Sequence, residues 1–136
     1  MALELNGTTG VSLVQDGVVV AADLNSALSD TIGKVKAWVN FIGTGTVAIR
    51  DSYNVSTITD LATGQYQVNL TTALVDANYG IAVTVQGATG LGYSAQAVGQ
   101  IKSDTTPTAS AFSISCGNSI NGAYADFTTL SVAVLR

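Results

Sequence analysis

The sequence predicts an all-β protein: an antiparallel β-sandwich of seven to eight strands, jelly-roll or immunoglobulin-like, with an N-terminal β arm and one short helix. Three observations predict it. From Lys34 onward, apolar residues recur at every second position in short runs, which is the period of a strand with one buried face. Turn residues separate these runs at fairly even spacing, as in sandwiches and small barrels. No crossover helix is available between the runs, so neighbouring strands are expected to be antiparallel.

Residues 1–33 differ from the rest and read as an anchoring arm with a short helix. In LELNGTTGVSLVQDGVVVAADL, Asn6-Gly7 and Asp16-Gly17 favour tight reversals. Val11 to Val14 and Val18 to Val20 read as short strands. So small an arm cannot fold alone; it must lie on its own domain, a sister subunit or a docking surface. In DLNSALSDTIG, Leu24, Ala27, Leu28, Thr31 and Ile32 fall at helical spacing. Asp23 caps the first turn and Gly33 ends the last. The apolar stripe of this helix is either core packing or, in an oligomer, a contact at the symmetry axis.

Residues 34–136 form the expected sandwich domain. Val35, Ala37, Val39 and Phe41 share one face; Lys36, Trp38 and Asn40 share the other. Gly43-Thr44-Gly45 turns the chain. Val47 and Ile49 alternate with Ala48 and Arg50, and the adjacent Arg50 and Asp51 are expected at the start of the next turn. Tyr53, Val55 and Thr57 carry the next strand. After Ala62-Thr63-Gly64, Tyr66, Val68 and Leu70 alternate with Gln65, Gln67 and Asn69. After Asp76-Ala77-Asn78, Ile81, Val83 and Val85 alternate with Ala82, Thr84 and Gln86. The loop Gly87 to Gly92 leads to Tyr93, Ala95 and Ala97. Ser103 to Pro107 leads to Phe112, Ile114 and Cys116, and Gly117 to Gly122 precedes Leu130, Val132 and Val134. The single proline, Pro107, precedes a strand, where a missing N–H does no harm.

Composition narrows the function. Hydrophobic residues make up 47% of the 136 residues and charged residues 10%, against about 25% charged in an average domain. Ser, Thr, Asn, Gln, Gly and Ala replace the missing charge. Such a surface suits a secreted or particle-bound β protein, and also a subunit that hides surface in an oligomer. The net charge is −4 and the five basic residues are spread out; nucleic-acid binding needs clustered Lys and Arg, so no nucleic-acid partner is expected. The longest apolar run, GVVVAA, is too short to span a bilayer. The N-terminus lacks the basic and apolar regions of a signal peptide, and synthesis in a cytoplasm is expected.

The chemistry-bearing residues are few. There is no histidine and one cysteine, which excludes an internal disulfide, a Cys/His metal cluster and a Ser–His–Asp triad. Cys116 has no histidine base and reads as a small buried strand residue. Gly43-Thr44-Gly45 is followed by the β-branched TVAIR rather than by a helix N-terminus, so it is a hairpin turn and not a phosphate loop. GATGLG at 87–92 is excluded on the same ground. Asp16, Asp60, Asp76 and Asp104 read as turn aspartates bonded to local backbone, not as an acid–base pair. The chain is therefore expected to be no enzyme and to take no cofactor or metal. The binding candidates are aromatic, Trp38, Tyr53, Tyr79, Tyr93 and Tyr124, although most such rings are expected to fill the sandwich or an interface. Trp38 lies opposite Val39 and Phe41 and calls for a second packed surface.

KAWVNFIGTGTVAIRDSYNVSTITDLATGQYQVNLTTALVDANYGIAV resembles a module of tail-fibre and other virion surface proteins of bacteriophages, including phages of marine bacteria and cyanobacteria. The pattern runs AWVNF–x–GTG–T–AIRDSYNVS–IT, then a G–Y–VN–TT hairpin, then DANY, over residues 34 to 86. The N-terminal LNGTTGVSLVQDGVVVAADL is similar to the start of short phage fibre or tail proteins. From Gly87 the likeness is one of general character. Ile42 departs from the pattern, which often has a polar residue such as Asn there; an apolar residue hints at a subunit contact.

The module brings no catalytic residues. It implies a β-rich, usually trimeric virion protein. The expected role is a structural, tail-fibre-like component, attached to the particle by its N-terminal arm and contacting the host surface. The alternative is a head decoration protein that stabilises the capsid, and a more distant one is a carbohydrate-binding module. The implied partners are the chain itself as a homotrimer, other tail or capsid proteins, and host surface carbohydrate, with no membrane insertion; the implied location is the virion. On this reading Leu24, Leu28, Ile32, Trp38 and Ile42 are the interface candidates. Tyr93 and Tyr124, with loops 87–92 and 117–124, are the receptor-facing ones.

Overall fold

The alternating runs form eight antiparallel strands in two sheets. The structure, a computed structural model, describes residues 34–88, 97–119 and 121–136. The arm and helix expected over 1–33, with Leu24, Leu28 and Ile32, and the loop residue Tyr93 lie outside the described residues. The strands are β1 (Val35–Ile42), β2 (Ala48–Tyr53), β3 (Val55–Ala62), β4 (Gln65–Leu70), β5 (Gly80–Ala88), β6 (Ala97–Ile101), β7 (Ala111–Asn118) and β8 (Phe127–Leu135). One sheet has the order β2-β1-β8-β5, the other β3-β4-β7-β6. The described part is thus an all-β sandwich, as the period of two predicts. The strand order, left open by the sequence, makes the first and last strands central neighbours.

The core lies between the sheets and is built from the apolar phase of each run. Ala37, Val39 and Phe41 of β1 meet Leu130, Val132 and Val134 of β8, Tyr66 and Val68 of β4, and Phe112 and Ile114 of β7. Full burial of each large side chain stabilises by about 1.5–3 kcal/mol. Phe41 and Tyr66 pack edge to face, with ring centroids 5.2 Å apart. β7 is buried on both faces. Its outward Ser113 and Ser115 are small, and their cross-strand neighbours are the longer Gln67 for Ser113 and Gln65 and Gln100 for Ser115.

Two local features shape the sheets, and the first joins them. The chain passes from β2 to β3 through the single residue Asn54, which has φ 56°, a left-handed conformation that Asn tolerates. Its amide Nδ2 donates to the carbonyls of Lys36 and Thr72, each at 3.1 Å, and its Oδ1 accepts from the Thr72 N–H at 2.8 Å. Asn54 therefore fastens β1 of one sheet to the end of β4 of the other. At the opposite edge Gly99 of β6 lies against Val83 and Val85 of β5.

The second feature corrects an expectation. Arg50 and Asp51 do not start a turn; they lie within β2. Asn40 pairs with Asp51 and Phe41 with Ile49, so Arg50 is the extra residue of a β-bulge. A bulge re-aims the side chain it carries. Here the guanidinium reaches across the sheet to Asn40 Oδ1 at 3.2 Å, Thr129 Oγ1 at 3.0 Å and the Thr128 carbonyl at 2.7 Å. Asp60, also expected in a turn, lies in β3 opposite Tyr66. Asp76 keeps its turn role: its carboxylate accepts from the Asn78 N–H and from the Arg136 guanidinium. These partners, Arg136 first, hold its pKa below the usual carboxylate range.

Candidate functional site

The site is built where β7 ends. Beyond Cys116 the chain turns back on itself through a tight loop. The Asn118 N–H donates to Ala123 O at 2.8 Å, the Gly122 N–H to Asn118 O at 2.9 Å, and the Ala125 N–H to Cys116 O at 3.1 Å. Tyr124 pairs with Gly117 through an isolated bridge. A side chain at 117 would place its Cβ 2.3 Å from Ala123 O, so the close return needs glycine there.

This loop is fastened to the core from beneath. Asp126 Oδ1 accepts from the Gly64 N–H and from the Tyr66 hydroxyl, both at 2.7 Å. The Tyr66 oxygen also lies 3.1 Å from the Gly43 carbonyl. Burial, then the hydrogen bond to Asp126, pushes the Tyr66 phenol far above its usual range, so it stays a donor at neutral pH. Gly64 O accepts from the Cys116 N–H at 2.7 Å. The β3–β4 turn, the end of β7 and residues 124–126 form one clasp.

Above the clasp lies a cleft of about 350 Å³. Val98 and Gln100 of β6 form one wall, Ser115 and Gly117 of β7 the floor, and Tyr124 with Asn118, Ser119 and Gly122 the other wall. Tyr124 is 52% exposed. None of the nine lining residues is charged. Cys116 borders the cleft but is buried, and burial, with the charge of Asp126, pushes its thiol up to about 12. A thiol so far from ionisation is a poor nucleophile.

The other candidates fall elsewhere. Trp38 is on the outer face of β1, 37% exposed, with Tyr53 and Ala133 as register partners. Ile42 is half-buried at the far end of the same face. The structure does not bring either of them near Tyr124's cleft. Tyr79, expected among the binding aromatics, is a packing residue: its ring meets Phe112 edge-on at 6.0 Å and its hydroxyl donates to Thr108 O at 2.8 Å. Sequence reasoning missed Gln100, Ser115 and Asp126. Gln100 and Ser115 meet only through the β6–β7 register, and the Asp126 partners lie some sixty positions away.

Among the described residues no group of three or more His, Cys, Asp or Glu side chains is placed to hold a metal ion, and no helix is long and apolar enough to cross a membrane. What the cleft offers is neutral hydrogen-bonding groups beside an aromatic ring. No protein-family model matches the chain, and neither curated proteins nor solved structures give a match.

Proposed function

We propose that the protein is a structural surface protein of a bacteriophage virion. It is a homotrimeric, tail-fibre-like component, attached through its N-terminal arm and contacting the host surface. The class comes from the resemblance of residues 34 to 86 to the phage module. The observation that supports it best is an exposed apolar patch that three residues of that segment form with Leu135 of β8. Val35 is 49% exposed, Trp38 37%, Tyr53 59% and Leu135 45%. The registers Trp38–Tyr53, Trp38–Ala133 and Val35–Leu135 gather them at one end of the β2-β1-β8-β5 sheet.

Large apolar side chains gathered on a surface mark an interaction site. The occupant is a second copy of this chain. Trp and Tyr are the residues that anchor protein interfaces, and a polar rim beside an apolar centre is the usual interface anatomy. Here Asn40, Arg50, Ser131 and Thr129 form such a rim on the same face: Asn40 Nδ2 donates to Ser131 Oγ at 2.8 Å, and Arg50 donates to Asn40 and Thr129. Ile42 lies beyond that rim.

Sedimentation of the purified full chain tests the assembly. A trimer is expected at micromolar concentration. Trp38→Ala removes a central aromatic anchor, which typically costs 2 kcal/mol or more, or about thirtyfold in association. It should shift the chain towards monomer while the circular dichroism of the sandwich is retained. Val75→Ser, at an exposed loop site, should leave the trimer intact. A wild-type chain that sediments as a monomer, or a Trp38→Ala chain that remains an equally tight trimer, contradicts the assembly.

A further inference from the structure

We propose that the cleft between Gln100 and Tyr124 is a subsite for one neutral sugar residue of a surface glycan. The inference deepens the host-contact part of the reading above and rests on it for the source of the glycan; the chemistry rests on the cleft alone. A sugar ring has two apolar C–H faces and a rim of hydroxyl groups, each both donor and acceptor. The cleft has the matching set. The Tyr124 ring supplies a rigid flat surface with few torsions to lose. Over the floor lined by the buried Ser115, the exposed Gln100 amide both donates and accepts.

The alternatives fit less well. A phosphate, sulfate or carboxylate would meet no cation among the lining residues. An aliphatic ligand would strip water from the exposed Gln100 amide without replacing its hydrogen bonds, which is costly. The volume of about 350 Å³ is at the small end of ligand clefts and suits a single ring with its substituents.

The walls are also set in advance. Gln100 and Ser115 stand opposite each other on paired strands. Tyr124 is held by its bridge to Gly117, and the next two residues by Cys116 O and the Asp126 clasp. A site on fixed elements loses little entropy when it binds. Trp38 and Tyr53, although exposed, stand on the other sheet, away from this floor.

The test uses the purified full chain and a set of probes: the methyl glycosides of glucose, galactose, mannose and N-acetylglucosamine, with sialic acid as the anionic probe. Saturation-transfer NMR detects binding and titration gives the affinity. At least one neutral glycoside should bind with a Kd of about 1–10 mM, the weak affinity of a single-ring contact. Tyr124→Ala should weaken it at least tenfold and Gln100→Ala at least threefold, with unchanged circular dichroism, whereas Val75→Ser, at an exposed loop site outside the cleft, should leave it unaltered. The proposal is overturned if no neutral glycoside binds, if sialic acid binds better than all of them, or if binding survives both Tyr124→Ala and Gln100→Ala. Such a failure would leave the virion reading standing, because this assay contains no particle and the trimer is measured separately.

Discussion

Gly64→Ala is expected to lower the unfolding free energy by about 2–5 kcal/mol, adding a left-handed-backbone cost of about 1–2 to an overpacking cost of about 1–3. Gly64 has φ 65°. A Cβ there would sit 2.4 Å from Cys116 O and 2.8 Å from both the N and O of Ala125. These are backbone atoms of two segments, so no side chain can rotate aside. The structure carries its own controls. Gly45 has φ 68° and Gly122 has φ 70°, and a Cβ at either meets nothing within 4 Å. Gly45→Ala and Gly122→Ala should therefore cost only the backbone part, about 1–2 kcal/mol each. Urea unfolding of the three variants separates the contributions. Equal losses in all three would mean that the clasp is not packed as described. Gly64→Ala should also disturb the cleft, since Ala125 adjoins Tyr124.

Tyr66→Ala should cost about 4–5 kcal/mol, in the range of deleting a buried aromatic ring, while Tyr66→Phe should cost about 1–3 kcal/mol for the unpaired acceptors it leaves. The ring is fully buried against Phe41. The hydroxyl ties Asp126, at the foot of the Tyr124 loop, to β4. The difference between the two variants separates packing from hydrogen bonding. With domains stable by about 5–15 kcal/mol, Tyr66→Ala stands to remove much of the fold's margin. A Tyr66→Phe chain as stable as the parent would show that Asp126 does not depend on this hydroxyl. Amide exchange at Ala125 reads the same point locally: protection there should fall in Tyr66→Phe.

The strands were legible because burial imposes a period that composition cannot hide. VKAWVNFI alternates by eye, and its Ala37, Val39 and Phe41 are all in the core. The turns at 43–45 and 62–64 were legible because glycine punctuates them. Arg50 and Asp51 were misplaced because two adjacent charged residues look like a turn, whereas a bulge within β2 carries them. The real corner is Asn54, whose left-handed backbone is set by three hydrogen bonds to segments distant in sequence. The cleft was legible only at Tyr124, an aromatic beside turn residues. Gln100 and Ser115 are ordinary polar strand residues until β6 and β7 pair, and strand order is not written in a period of two. Asp126 in YADFTT carries no local sign that it will hold a tyrosine and a glycine from another sheet.

We propose that this chain is a fibre-like surface component of a virion. Labelling intact phage particles with an antibody to the purified protein, together with counting its copies per particle, tests it most directly. Label is expected at the tail or its fibres, with a copy number in multiples of three, on the order of tens or fewer for a trimeric fibre with cyclic symmetry. Label spread over the head at hundreds of copies would make it a decoration protein instead, and particles that carry no label would contradict the claim outright.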